Sequence, residues 1–318
     1  MFLENSMKLY SFQAPGSVML LGEHAVLHGS SAVVCAINRF IRVELKPRQD
    51  DVIDIFSDRF GKFSTTIKNL TIEKPFQFVI AAILEYQDHY EKGFDLKIKS
   101  EFSDQVGLGS SAAVVVAVLG AIQSWLFGEA NLEQLFNKGL KVIQKIQGVG
   151  SGADVAASVY GGIIHYQMAP NRIEKIGDNL PIALIYVGYK TPTVAVINIV
   201  SSLSKNNPKR YREIYHNIEM LVQHGIHAIR QNEITKLGKI FRQHQAYQVM
   251  LGVSDATIDM IIESCKKIPA LFGEKISGSG LGDCIVTLGK LPRNTFPQNE
   301  KQKKQGIQQI DVRITKNT

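Results

Sequence analysis

Val106-Gly107-Leu108-Gly109-Ser110-Ser111-Ala112-Ala113 lies between an alternating run, Phe94-Asp95-Leu96-Lys97-Ile98-Lys99, and a long apolar segment that ends at Phe127. The alternation predicts a half-exposed strand, and the apolar segment a helix from about Ser111 to Phe127. The loop therefore feeds a helix start, where unpaired N–H groups and the positive end of the helix dipole face outward. Its glycines let the backbone approach a bulky anion closely. Its two serines add hydroxyls for a phosphate or a hard cation such as Mg²⁺. A capped helix after a tight turn needs only one Ser and one Gly, so the surplus favours phosphate binding over Gly107, Leu108, Gly109, Ser110, Ser111 and Ala112. A Walker loop is excluded: Gly61-Lys62, Gly238-Lys239 and Gly289-Lys290 all lack a following Ser or Thr. A Rossmann turn would need a spaced third glycine, and the protein-kinase signatures do not occur.

Two more glycine-rich turns follow. Gly148-Val149-Gly150-Ser151-Gly152-Ala153-Asp154 opens a predicted helix over about Ala153 to Tyr160. Asp154 could simply stabilise that helix start, or it could accept a proton from an alcohol held against the phosphate loop. Ser277-Gly278-Ser279-Gly280-Leu281-Gly282-Asp283-Cys284 sits between predicted strands. Its alternate glycines exceed what a hairpin needs, so Gly278 and Gly280 are candidates for a second cleft wall. Near the amino terminus, Glu23 and His24 lie just past a buried strand and are candidates for polar substrate contacts. A zinc site at His24 and His28 is disfavoured, because no His-Glu-x-x-His frame surrounds them.

The 318 residues carry 36 Lys+Arg against 29 Asp+Glu, a net charge of +7. The stretch from Arg293 to Thr318 holds six of the bases and two of the acids, net +4, and Lys301, Lys303 and Lys304 read as one solvated turn. No basic stripe interleaved with aromatics suggests nucleic acid. No CxxC pair occurs, and Cys35, Cys265 and Cys284 fit buried thiols in a reducing compartment. The apolar run Ala112–Leu119 is far shorter than a membrane span, and no secretory signal is apparent; a cytoplasmic location is expected. Oligomeric state is undecided, with a homodimer left open.

Along the chain, strands are expected at Ala32–Leu45, 52–56 and 63–67. A helix is expected through Phe76, Val79, Ile80, Ile83 and Tyr86, then a second over Leu132–Ile146. A hairpin follows at Ile163–Gln167 and Ile173–Ile176, then a buried strand Ile182–Val187. Thr193–Lys267 reads as helical with breaks near Asn206 and Gly252, and strands close the chain around 274–276, 284–288 and 309–314. Strands, then helices, then strands indicate an α+β protein of two domains, 1–180 and 181–318.

The three glycine motifs, in this order and over nearly the whole chain, resemble the GHMP small-molecule kinase superfamily. That resemblance implies an amino-terminal domain like ribosomal protein S5 domain 2 and a ferredoxin-like carboxy-terminal domain, with the site between them. It implies ATP on Gly107–Ala112, Mg²⁺ at Ser111, and Asp154 as the base for the hydroxyl that attacks the γ-phosphate. The opening APGSVMLLGEHAVLHG is similar to that of the mevalonate kinases, which implies that Glu23, His24 and Thr193 line the pocket of a mevalonate-like substrate. Three departures stand out. Ser17 replaces a lysine, Ile143 replaces a Mg²⁺-binding glutamate, and QGVGSGADVAASVYGG looks more like the phosphomevalonate kinases. A phosphorylated substrate would want a cation, for which Lys190 and Arg39 are candidates, and Lys8 is near Ser17 in sequence. The mevalonate reading ranks first, then phosphomevalonate, then another GHMP substrate; a non-catalytic sensor stays open as a different class.

Overall fold

The computed structural model describes residues 8–316. Strand β1 (Tyr10–Leu21) runs antiparallel to the long β2 (Ala32–Pro47). A hairpin of β3 (Val52–Ser57) and β4 (Gly61–Thr66) leads to helix α1 (Gln77–Leu84), and then to β5 (Phe94–Ser100), which lies between β2 and β3. Helices α2 (Ser110–Phe127), α3 (Leu132–Gln147) and α4 (Ala153–Tyr160) precede the hairpin β6 (Ile163–Gln167) and β7 (Arg172–Gly177). The seven strands run β4-β3-β5-β2-β6-β7, with β1 also on β2.

The second sheet opens with β8 (Ile182–Tyr186). Helices α5 (Thr193–Asn206), α6 (Pro208–Arg230), α7 (Ile234–Leu251) and α8 (Ala256–Lys266) follow it. Then come β9 (Leu271–Ser277), β10 (Cys284–Gly289), the short α9 (Glu300–Lys304) and β11 (Gln308–Ile310). This antiparallel sheet has the order β11-β8-β10-β9. The expected α+β, two-domain architecture is what the chain adopts.

Local chemistry explains these elements. In β5, Phe94, Leu96 and Ile98 are buried while Lys97 and Lys99 face out, so one face packs and the other is hydrated. Helix α2 is apolar nearly all round, and it is buried nearly all round: Val115–Leu119, Ala121 and Ile122 have no exposed surface. Each such Val, Leu or Ile contributes about 1.5–3 kcal/mol of burial. Gly120 lets α2 settle on β1, since a Cβ there would come within 2.4 Å of the Phe12 ring. With Gly120–Phe127 added to the apolar run, α2 is long and apolar enough to cross a membrane, but here it is the core helix.

Four features depart from the expected pattern. Helix α1 ends at Leu84, and Tyr86 instead turns inward, where its hydroxyl accepts from the Gln123 side chain at 2.5 Å. The helical stretch breaks a third time at residues 231–233, where Asn232 takes a left-handed φ of 54° that asparagine tolerates. Arg39 lines neither of the two cavities described below and instead donates to the carbonyls of Asn38 and Asp311. The last strand is short, because the chain leaves the second sheet after Ile310 and crosses to the first. The reason lies in β2. Strand β6 pairs with residues 32–35 of β2 and β5 with 41–47, which leaves an uncovered edge between them. The tail fills that edge: Asn38 N–H donates to Arg313 O at 2.8 Å and Thr315 N–H to Ala36 O at 3.0 Å.

Cys35, Cys265 and Cys284 are buried free thiols, as expected. Lys301, Lys303 and Lys304 form one exposed turn in α9.

Candidate active site

Strand β1 brings the glycine motifs together. Ser17 N–H donates to Leu108 O at 3.0 Å, and Gly16 permits that approach, since a Cβ there would lie 2.7 Å from the same carbonyl. The phosphate-loop candidate is thereby sewn to β1. Helix α2 starts at Gly109, in the left-handed region at φ 65°, with no side chain capping it. Its first turn, Ser110, Ser111 and Ala112, faces a cavity between the two sheets together with Gly107 and Gly109. Leu108 does not: its side chain is in the core and its carbonyl holds the loop.

The second motif forms another wall. Gly152, at φ 89°, opens α4, and Asp154 in its first turn points into the cavity. Its Oδ1 accepts the Ser17 hydroxyl at 2.7 Å. Desolvation among the loops raises the Asp154 carboxyl above its usual range, while the Ser17 hydrogen bond and the Lys190 charge pull it back. The site thus holds a carboxylate of raised basicity beside an uncapped helix start. Ile143, at the position where the family resemblance leads one to expect a glutamate, lines the cavity with hydrocarbon alone.

The amino-terminal candidates form the floor. Glu23 and His24 are both buried and both line the cavity. His24 Nε2 lies 2.8 Å from Ser279 O, an acceptor only, so Nε2 carries the proton and Nδ1 is left as an acceptor. Burial lowers its pKa, which keeps the ring neutral. Glu23 meets two residues the motifs did not single out. The fully buried Lys275 donates to Glu23 Oε1 at 2.5 Å, and His244 Nε2 stands 3.5 Å from Oε2.

Thr193, at the start of α5, and Gly278 complete the wall from the second sheet. Gly280 is turned away and packs on Val253, whose carbonyl would lie 2.5 Å from a Cβ. Asp283 faces in, and burial pushes its carboxyl up to about 6. Its signal in the sequence was weak: one acid at the end of a glycine run. Lys8 lies over the Tyr10 ring and does not line the cavity.

A second cavity adjoins the first across Ser110 and Ser111, and its walls include Phe60, Phe76, Phe78, Phe102, Arg59 and Lys74. None of these residues carries a local motif. They come from the β3–β4 hairpin, the entry to α1 and the segment after β5.

The sequence and the fold have parallels among known proteins. Residues 77–162 match the model for the GHMP kinases N terminal domain, and residues 226–309 that for the GHMP kinases C terminal domain. The mevalonate kinase of Pyrococcus furiosus is 30% identical over 295 residues, covering 86% of this chain and 87% of that protein. Among solved structures, the Methanococcus jannaschii mevalonate kinase superposes with a TM-score of 0.80 at 22% identity, over 97% of this chain and 99% of that one. The phosphomevalonate kinase of Streptococcus pneumoniae, solved with phosphomevalonate and AMPPNP, gives 0.78 at 19% identity, over 96% and 99%. Fold, motif order and these matches agree: the chain belongs to the GHMP kinase family of small-molecule kinases.

Proposed function

We propose that this enzyme transfers the γ-phosphoryl group of ATP to the primary hydroxyl of mevalonate, giving 5-phosphomevalonate. The observation that carries the reading is the Ser17–Asp154 hydrogen bond beside the uncapped start of α2, with Glu23 and His24 on the same cavity. The aromatic second cavity would take the adenosine, the α2 start the phosphates, and the first cavity the acceptor alcohol. Gly107, Gly109 and Ser110–Ala112 would contact the phosphates, with Leu108 acting through its backbone. Glu23, His24, Thr193 and Gly278 would contact the acceptor, and Gly280 would shape the loop. The division of the chain near residue 180 belongs to the same proposal, with the tail 311–316 returning to the amino-terminal domain.

A divalent cation fits through oxygen donors. Ser111 would hold Mg²⁺, and the nucleotide must bring most of the other ligands, since among the described residues no group of three or more acidic, His or Cys side chains gathers. When bound, Mg²⁺ neutralises charge on the phosphates. The chain's own part is to orient the hydroxyl and take its proton on Asp154, so that positioning and charge placement lower the barrier.

ADP release with Mg-ATP tests the acceptor, measured against mevalonate, 5-phosphomevalonate, galactose and homoserine. Turnover with mevalonate alone is expected. Turnover confined to 5-phosphomevalonate would overturn the substrate assignment in favour of the second reading, which the Lys190 side chain on the cavity wall supports. Asp154 must be unprotonated to act, so kcat/KM should fall toward acid with a limb above the usual carboxylate range. Removing the hydrogen bond in Ser17→Ala should move that limb to higher pH, because the bond holds the Asp154 pKa down. A limb that stays in place or moves to lower pH would contradict the base assignment.

A further inference from the structure

Lys190 is the one Lys or Arg side chain among the described residues that line the first cavity. Its backbone is fixed to the third glycine motif from both sides. Asp283 N–H donates to Tyr189 O at 3.0 Å, the Thr191 hydroxyl donates to Leu281 O at 2.5 Å, and Gly282 lies so close that a Cβ would sit 3.0 Å from the Lys190 Cα. Only the side chain can swing. Its Nζ donates to Asp104 O at 3.0 Å, a carbonyl of the segment leading into the phosphate loop, and stands 3.9 Å from Asp283 Oδ1. Lys190 thus bridges the two loops that face each other across the phosphate position.

Asp283 makes that bridge necessary. Its carboxyl is packed on the first glycine of the phosphate loop: a Cβ on Gly107 would come within 2.7 Å of it. It is 3% exposed, and its Oδ1 has no hydrogen-bond partner. A buried negative group against an anion-binding loop opposes phosphate binding unless a cation stands between them. Of the other bases, Lys275 is held on Glu23, Arg59 and Lys74 line the second cavity, and Arg39 and Lys8 line neither. At position 17 a serine hydroxyl, not a cation, lies against Gly109 and Asp154.

We propose that Lys190 is a catalytic residue of this chain, whose Nζ leaves the Asp104 carbonyl to contact the transferring phosphoryl group, and that Asp283 is the positioning residue that aims it. The inference rests on the phosphoryl-transfer reading above. In that step the acceptor oxygen forms a bond to the γ-phosphorus, and the bond from that phosphorus to the bridging oxygen breaks. Its electron pair leaves on ADP, and the hydroxyl proton passes to Asp154. Lys190 keeps its own proton and donates hydrogen bonds to the equatorial oxygens, where charge must be stabilised.

Lys190→Met and Lys190→Arg separate this role from the alternatives, with Mg-AMP-PNP and Mg-ADP affinities measured by calorimetry alongside kinetics. Lys190→Met should lower kcat about 100- to 1,000-fold. It should weaken AMP-PNP at least tenfold and leave ADP within threefold, since only the γ-phosphate contact is lost. Lys190→Arg should recover part of kcat, and Asp283→Asn should lower kcat less than Lys190→Met does. Intact ADP binding verifies that the variants fold. Equal losses for AMP-PNP and ADP would overturn the proposal, as would a kcat within threefold of wild type with the loss confined to acceptor KM. If the wild type turns over none of the acceptors, the functional reading fails, while the AMP-PNP to ADP comparison still decides the role of Lys190.

Discussion

Asp154→Asn should lower kcat by about 10²–10⁴-fold, the usual loss for a positioned general base, with ADP affinity left near wild type. The substitution preserves shape. Asn keeps an oxygen able to accept the Ser17 hydroxyl, now 2.7 Å from Asp154 Oδ1, and it sits at the head of α4 without disturbing the Gly152 turn. What it removes is the capacity to take a proton. The barrier should rise while the ground state stays intact, so kcat falls and the acceptor KM changes little. Turnover within tenfold of wild type would mean that the proton leaves by another route and that Asp154 only stabilises the helix start. A protein that never turned over ATP, with Asp154 in place, would instead be a binding module of the same fold.

The site was legible in the sequence wherever its signal is local. A glycine turn feeding a helix start is a feature of eight or so consecutive residues. Gly107–Ala112 and Gly152–Asp154 could therefore be read without knowing the fold, and the helices they open begin within one residue of the expected position. Alternation in β5 was equally local. Glu23 was found by its motif, but the residues that fix its charge were not: Lys275 and His244 lie more than 200 positions away and meet it only when the second sheet packs on the first. Lys275 did carry a hint, because Glu274-Lys275 is a charged pair inside a strand that is otherwise uncharged. The pleat sends the two to opposite faces, Glu274 to Arg242 at 2.9 Å and Lys275 to Glu23. Asp283 against Gly107 is another long-range juxtaposition, invisible in spacing. The tail was misread for a similar reason: the residues after Ile310 have strand character, but the edge that accepts them is the gap in β2, far earlier in the chain.

Lys275→Met should destabilise the fold by about 3–5 kcal/mol, the cost of removing one partner from a buried ion pair. Lys275 and Glu23 are 0% and 3% exposed, and the ammonium also donates to Ile276 O. Burial pushes the lysine pKa down, opposed by the Glu23 carboxylate, which supports the ammonium charge. Methionine fills the lysine's volume and leaves the buried Glu23 carboxyl with no cation beside it. The double variant Lys275→Met/Glu23→Gln should recover most of the loss, since no uncompensated charge then remains. Guanidinium unfolding midpoints for the four members of this cycle give the coupling directly. A single-variant loss under about 1 kcal/mol, comparable to an exposed pair, would show that water reaches the site and that the pair is not truly buried. The double variant also separates the two roles of Glu23. If it is as stable as wild type but its acceptor KM is raised, then the lysine holds Glu23 for the fold while Glu23 itself serves the substrate. If stability and KM recover together, Glu23 is structural, and the acceptor is held by His24 and Thr193.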